Sequence, residues 1–361
     1  MEASLYSDFV KTYFPNLVLE VTEKLNEKAQ QTLPYSFKND LVPMYSADSR
    51  WASVIAKYNQ VAAHVVALDS SLPIMSRDAI EVYGGDIPKI GMSMYLTEKQ
   101  QKDIQALIAT GTALNVVLDR IFEDTPKCIS GIWETLEAIY QSELSTGVGL
   151  APIQGTGTGV RIDMKFDNAN KFGVKVVWDG NPDTAEPDKD IKRLMDKADA
   201  DGNVIIKVKA DDAWISALGK TKAFREMYAF NLGFTGQNIP VLNREQVASV
   251  LMANYGITLE RVNRKFKTEN NGTKGNHTAW QRGVASFLCT EKTGSLVWTD
   301  VVEATRPVQG VTYQTADNYI LMSKYAENNP WREFTTSQAM VIPVLNNTDK
   351  IYLLNSTEVQ A

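Results

Sequence analysis

Cysteine and histidine are nearly missing from this chain. Two cysteines, Cys128 and Cys289, and two histidines, His64 and His277, occur in 361 residues. Two thiols cannot build a disulfide framework or a thiolate zinc site unaided, so they read as buried thiols in a reducing compartment. With two imidazoles, the metal and acid–base enzyme classes that rely on histidine lose their usual ligands and bases. No apolar run approaches the roughly 20 residues needed to cross a bilayer. Met1-Glu2-Ala3-Ser4 also lacks the basic n-region and apolar core of a signal peptide. The expectation is a soluble protein made in a cytoplasm, with no membrane partner. A basic excess is missing too. Lys and Arg total 37 against 43 Asp and Glu, a net charge of −6. This argues against a dedicated nucleic-acid binder, but not against a protein that encloses nucleic acid. The glycine run Gly155–Gly159 lacks the Lys-Ser/Thr of a phosphate loop and precedes a strand, so it reads as a connector. No catalytic residue, metal ligand or cofactor site is nominated, and a non-enzyme is expected.

What the chain does have is a long helical pattern. Thr97-Glu98-Lys99-Gln100 is a capping box. Ile104, Leu107, Ile108, Leu114, Val117, Leu118, Ile121 and Phe122 then recur at helical spacing. Pro126 interrupts, with Asp124 or Thr125 placed to cap a second segment carrying Ile129, Ile132, Trp133, Leu136, Ile139, Tyr140 and Leu144. Gly147 stands where a C-terminal cap glycine belongs. Laid end to end, two such helices of about 20 residues extend roughly 60 Å, and predict a spine on which other parts hang.

Before the spine, residues 1–33 read as helix, with Val18, Val21 and Leu25 on one face. Tyr35 to Ser49 reads as an irregular arm, disordered or packed on something else, with another subunit one option. Its apolar residues are Phe37, Leu41, Val42, Met44 and Tyr45. Val61 to Tyr95 predicts a long projecting hairpin, with strands at Ala63–Leu68, Ala79–Tyr83 and Lys89–Tyr95 punctuated by glycine and proline. Its apolar residues Leu72, Ile74, Met75, Ile80, Val82, Tyr83, Ile87 and Ile90 suit contact with a neighbour or packing on their own subunit equally well. After the spine, Gly159–Phe166 and Phe172–Trp178 predict a hairpin across Asp167–Asn170. The pattern then turns α/β. It has a helix near Asp188–Ala198, a strand at Val204–Val208, and a helix capped by Asp211 with Trp214, Ile215 and Leu218 inward. Asn243 caps a further helix, with Val247, Val250 and Leu251 inward and Gly256 closing it. Ile257–Phe266 predicts a strand, Thr268–His277 a polar loop, and Gly283–Thr290 and Ser295–Asp300 further strands.

The C-terminal stretch carries a family resemblance. Trp331-Arg332-Glu333-Phe334-Thr335-Thr336, the small-residue segment to Pro343, and the apolar strand ending at Leu354 resemble the closing segment of tailed-bacteriophage major capsid proteins of the lambda head protein E family. Leu72-Pro73-Ile74-Met75-Ser76-Arg77, Asp86-Ile87-Pro88-Lys89-Ile90, and Leu96-Thr97-Glu98 with the spine look like that family's extended loop and spine helix. Leu144-Ser145-Thr146-Gly147 is similar to its helix end. The resemblance runs in order from Arg50 to Leu354. The N-terminus departs from it, having no long charged scaffold-like segment.

The resemblance implies an α+β fold of HK-ninety-seven type. It implies an N-terminal helix and arm (1–56), an extended loop (57–95), a peripheral domain with the spine helix (96–186), an axial α/β domain (187–310) and a return to the peripheral domain (311–361). It implies a structural protein that assembles as hexamers and pentamers into an icosahedral phage head around double-stranded DNA. Portal, scaffolding and decoration proteins are further partners. It tips the arm and loop residues named above toward contact with a neighbouring subunit. Some relatives cross-link a loop lysine to a neighbouring asparagine; Lys89 lies in the loop here, but no catalytic carboxylate can be picked for the reaction, so no cross-link is expected. An encapsulin-like shell around an enzyme cargo, docked through the helix at residues 4–31, is the alternative on the same fold. A cytoplasmic enzyme built on residues 187–305 is the alternative of another class.

Overall fold

The computed structural model describes residues 3–4, 6–56, 80–152, 159–233, 239–270 and 273–360. In chain order the elements begin with helices α1 (Ser7–Thr32) and α2 (Ser36–Asp40). Strands β1 (Leu41–Tyr45), β2 (Arg50–Ala56), β3 (Ile80–Asp86) and β4 (Lys89–Leu96) follow. Three helices come next: α3 (Glu98–Ala109), α4 (Leu114–Ile121) and α5 (Thr125–Thr146). Strands β5 (Val148–Pro152), β6 (Gly159–Asp163) and β7 (Lys171–Val174) lead to α6 (Pro187–Ala200) and β8 (Lys207–Asp211). Helices α7 (Asp212–Lys220), α8 (Lys222–Asn231) and α9 (Arg244–Tyr255) precede β9 (Thr258–Val262), β10 (Phe266–Asn270), β11 (Thr273–His277), β12 (Val284–Leu288) and β13 (Gly294–Thr299). The chain ends with α10 (Val302–Thr305), β14 (Thr312–Ala316), β15 (Ile320–Asn328), β16 (Trp331–Leu345) and β17 (Ile351–Val359).

Two compact units result. The first holds residues 1–51, 84–137 and 295–344, and the second holds 52–83, 138–294 and 345–361.

The first unit is organised on a sheet in the order β1-β13-β16-β15-β14, with β4 also paired to β16. The antiparallel β16 partners are Leu321 to Asn328 on β15 and Lys89 to Leu96 on β4. Helix α1 packs against β14 and buries Val10, Phe14, Val18 and Thr22, a strict four-residue spacing. The expected face of Val18, Val21 and Leu25 is therefore rotated, with Val21 and Leu25 only half-buried. The Phe14 and Phe122 rings stack at 5.9 Å. Each fully buried side chain of this size contributes about 1.5–3 kcal/mol.

The second unit is a sheet in the order β7-β17-β12-β8-β9, with β12 antiparallel to both neighbours and β17–β7 and β8–β9 parallel. Its core tilts Trp178 against Trp214 at 5.4 Å and sets Trp214 edge-on to Phe287 at 6.2 Å, with Ile191, Leu194, Phe224, Val247 and Leu251 around them.

The capping signals form as expected. Thr97 and Gln100 make a reciprocal capping box, and so do Asn243 and Gln246. The Asp211 carboxylate accepts from the Trp214 amide at 3.0 Å. Gly256 takes the left-handed conformation that ends α9.

Several expectations change. The spine is not one long rod. Gly111, at φ +68°, breaks it after α3, and α3 and α4 contact each other instead of running on. Helix α5 alone remains long, about 33 Å for its 22 residues. Lys89–Tyr95 is not part of a projecting hairpin but belongs to the body sheet through β16. The first hairpin strand, Ala63–Leu68, lies outside the described residues, and β2 and β3 form a separate two-stranded ladder. β6 pairs with β5 rather than β7, while β7 runs parallel to β17. Thr268–His277 is no loop but most of the β10–β11 hairpin. The closing strand β17 stands in the sheet of the second unit, and β13 in that of the first.

Candidate assembly surface

The arm splits into an anchored half and an open half. Phe37 on α2 is fully buried, its amide donates to Glu137 Oε2 at 3.0 Å, and its ring tilts against Tyr35 at 5.8 Å. Tyr35 in turn donates its hydroxyl to Glu134 Oε1 at 2.8 Å and meets Trp133 edge-on. The Lys38 ammonium lies 3.3 Å from the centroid of the Trp133 ring. It donates to Asp317 Oδ2 at 2.6 Å and Asn26 Oδ1 at 2.7 Å. Burial pulls the Lys38 pKa below its ordinary value, and the Asp317 charge opposes that shift. Leu41 is also buried. Phe37 and Leu41, expected to face a neighbour, are thus spent in the core of their own unit, because α5 supplies the carboxylate and aromatic ring that hold this turn.

From Leu41 the chain becomes β1, one of the two end strands of its sheet among the described residues. Val42, Met44 and Tyr45 are 48%, 43% and 52% exposed. Tyr45 lies edge-on to Trp298 at 4.9 Å and donates to Asp300 Oδ2 at 3.0 Å, which fixes its direction while leaving half its surface open. Pro43 within β1 has no amide to donate, as suits an edge.

The extended-loop residues divide similarly. Leu72, Ile74 and Met75 lie outside the described residues. Ile80 and Val82 are placed on β3 by their backbone. Tyr83 is half-buried and donates to the Leu345 carbonyl at 3.4 Å. Ile87, expected at an interface, is buried in its own unit, its amide bonded to the Ser49 carbonyl at 3.0 Å. Ile90 is half-buried opposite Ala339. Lys89 pairs with Glu303 at 3.2 Å.

Sequence reasoning missed two further exposed apolar groups. On β4, Met92 and Tyr95 remain about two-fifths exposed. The Met92 sulfur lies so close to Gly131 that a Cβ there would meet it at 2.6 Å, which explains the glycine on α5. On α8 and just after it, Phe230 is 84% exposed and Leu232 65%. Phe230 lines a shallow depression with Met227, Ala223 and Asn254. The signal was readable for Phe230, which falls off the face that buries Phe224 and Ala229, whereas Leu232 is exposed because it lies past the end of α8.

Titratable groups inside the units serve structure. Lys324 is fully buried, donating to the Ile121 carbonyl at 2.8 Å and Thr335 Oγ1 at 3.0 Å, and burial lowers its pKa to about 8. The nearby Glu333 carboxylate accepts from the Ser4 hydroxyl. Among the described residues no group of three or more His, Cys, Asp or Glu is placed to hold a metal ion, and no helix is long and apolar enough to cross a membrane. The arrangement is one of surfaces: an open sheet edge, exposed aliphatic and aromatic side chains, and interiors locked behind them.

No curated protein matches the chain by sequence. Among solved structures, a prophage capsid protein from Escherichia coli CFT073 superposes with a TM-score of 0.59 at 14% identity, over 94% of this chain and 98% of that one. A phage-related protein from Bordetella bronchiseptica RB50 gives 0.53 at 10% identity, over 94% and 97%. The mature capsid of bacteriophage PhiM1 gives 0.51 at 11% identity, over 88% and 86%. The mixed helix-and-sheet architecture is accordingly the HK-ninety-seven-type capsid fold expected from the sequence. The profile of the family described as phage major capsid protein E matches residues 54–352, and the chain belongs to that family.

Proposed function

We propose that this capsid protein assembles with copies of itself, as hexamers and pentamers, into an icosahedral phage head that encloses double-stranded DNA. The observation that carries the reading is the family match over residues 54–352. Physical support comes from the open edge of β1. An uncovered edge strand bearing Val42, Met44 and Tyr45 invites pairing, and soluble proteins normally blunt such edges. Obligate interfaces often bury about 2,000 Å² or more, far beyond three side chains. The remainder comes from the extended loop of a neighbour, through Leu72, Ile74, Met75, Ile80, Val82, Tyr83 and Ile90, and from the Phe230–Leu232 patch. The unit built on β16 serves as the peripheral domain, and the unit built on β12 and β17 as the axial domain. Portal, scaffolding and decoration proteins join at the head, which is assembled in the host cytoplasm. No catalytic role is proposed.

One observation weighs against the reading as a cargo compartment. A cargo-docking helix at the N-terminus would offer its apolar face to the cargo, whereas α1 has already buried Val10, Phe14 and Val18 in its own unit. Electron microscopy of the purified protein, with its mass in solution, tests the proposal. Shells or rings of five and six subunits containing DNA support it, and shells filled with a protein cargo contradict it.

A further inference from the structure

The chain is acidic overall, yet one stretch carries a marked positive excess. Residues 261–282 hold Arg261, Arg264, Lys265, Lys267, Lys274 and Arg282 against a single acid, Glu269, a local charge of +5 in a chain whose net charge is −6. This stretch is the β10–β11 hairpin and its flanks. The hairpin is a two-stranded antiparallel ladder separate from the main sheet of its unit, running from Phe266↔His277 to Asn270↔Thr273. Phe266 and Trp280 are buried and root it in the unit.

Elsewhere many cations are neutralised within the chain, as in Lys38–Asp317, Lys89–Glu303 and Lys220–Asp179. Near the hairpin, Arg261 of β9 is engaged in the same way, with both oxygens of Asp212. Lys265, Lys267 and Arg282 are exposed and make no ion pair among the described residues. Lys267 stands opposite Asn276 in the ladder, and Thr268, Asn276, His277 and Gln281 are exposed beside it. These are hydrogen-bond donors set among ammonium and guanidinium groups.

The character of the exposed surface identifies the partner. A protein interface needs an apolar or aromatic core that becomes fully desolvated. Between Asn263 and Arg282 the described apolar side chains are Phe266, Trp280 and Ala279, none of them fully exposed. What remains is charge and hydrogen-bond donors, the chemistry that binds a phosphodiester backbone without reading sequence. We propose that the β10–β11 hairpin and its flanks contact the phosphate backbone of double-stranded DNA through Lys265, Lys267 and Arg282. This rests on the reading of the chain as a DNA-enclosing shell protein and assigns the contact to one element of it. An acidic chain then meets its DNA at a confined basic site, and the remaining surface repels it.

The test uses purified, unassembled full-length subunit and a fluorescently labelled duplex of arbitrary sequence, with anisotropy read between 50 and 200 mM salt. In the counterion-release relation each phosphate contact is worth about tenfold in affinity at 50 mM salt and about 0.9 in the slope of log K against log salt. Lys265→Gln/Lys267→Gln is therefore expected to bind about 100-fold more weakly, with a slope shallower by about 2. The control Lys99→Gln/Lys102→Gln, on exposed positions of α3 in the other unit, is expected to leave both unchanged. Equal affinity and slope for the hairpin variant and wild type would overturn the proposal, as would wild type that fails to bind the duplex at 50 mM salt. So would a variant that binds DNA normally but no longer forms shells, since the hairpin would then serve contact between copies. Wild type that binds DNA through these residues but never assembles leaves this inference standing and defeats the shell reading instead.

Discussion

Glu143 gives the sharpest energetic prediction. Its carboxyl is fully buried in the second unit at the end of α5, and neither oxygen has a hydrogen-bond partner among the described residues. Burial alone pushes its pKa well above 4.5. The carboxyl lies against Gly149 of β5, where a Cβ would meet Oε1 at 2.6 Å and Ile139 Cγ2 at 3.1 Å. A raised folded-state pKa means that the folded protein holds this proton more tightly than the unfolded chain. Stability is then fully present below about pH 4.5 and is lost as the pH rises toward the folded pKa. The penalty on the folded wild type therefore grows as the pH rises above 4.5, for as long as the buried carboxyl retains its proton. Glu143→Gln fills the same space and carries no titrating proton. Denaturant midpoints by tryptophan fluorescence should nearly coincide for variant and wild type at pH 4.5. The variant should then pull ahead progressively as the pH rises toward 7. Parallel pH profiles for the two proteins, or a variant less stable at pH 7, would refute the reasoning. Gly149→Ala should cost about 1–3 kcal/mol by overpacking against the same carboxyl.

Other outcomes follow from the same contacts. Phe37→Ala should destabilise the subunit by about 3–5 kcal/mol in denaturant unfolding, because its ring is fully buried. Tyr45→Ala should change subunit stability by no more than about 1 kcal/mol, yet lower the yield of shells counted by electron microscopy. Gly256→Ala should cost about 1–2 kcal/mol by thermal unfolding, because φ is +69° there. Lys89 is paired with Glu303 in the body sheet, so shells boiled in detergent should release single subunits on a denaturing gel, with no ladder of cross-linked species.

Local signals were legible in the sequence and distant pairings were not. Both capping boxes, the Asp211 cap and the left-handed Gly256 depend on residues within a few positions of one another, and each was readable. Strand partnership depends on residues far apart. Nothing in Lys89–Leu96 says that β16, more than 200 positions later, will cover it. The same holds for β7, whose partner β17 is at the other end of the chain. Thr110-Gly111-Thr112 did carry a turn signal, but the apolar periodicity on either side masked it. For the candidate surface, polar neighbours made Phe37 and Leu41 look exposed, whereas the burial of Phe37 was decided by Glu137 on α5. Val42, Met44 and Tyr45 resemble Phe37 and Leu41 in the sequence, and nothing local says that exposure begins just after Leu41, the buried first residue of β1.

The measurement that bears most directly on the central claim is cryo-electron microscopy of the purified protein, with mass determined in solution at the same concentration. The account predicts closed shells of hexamers and pentamers, with density from a neighbouring subunit lying over Val42, Met44 and Tyr45 of β1. A compact, stable monomer with that edge open to solvent would contradict it.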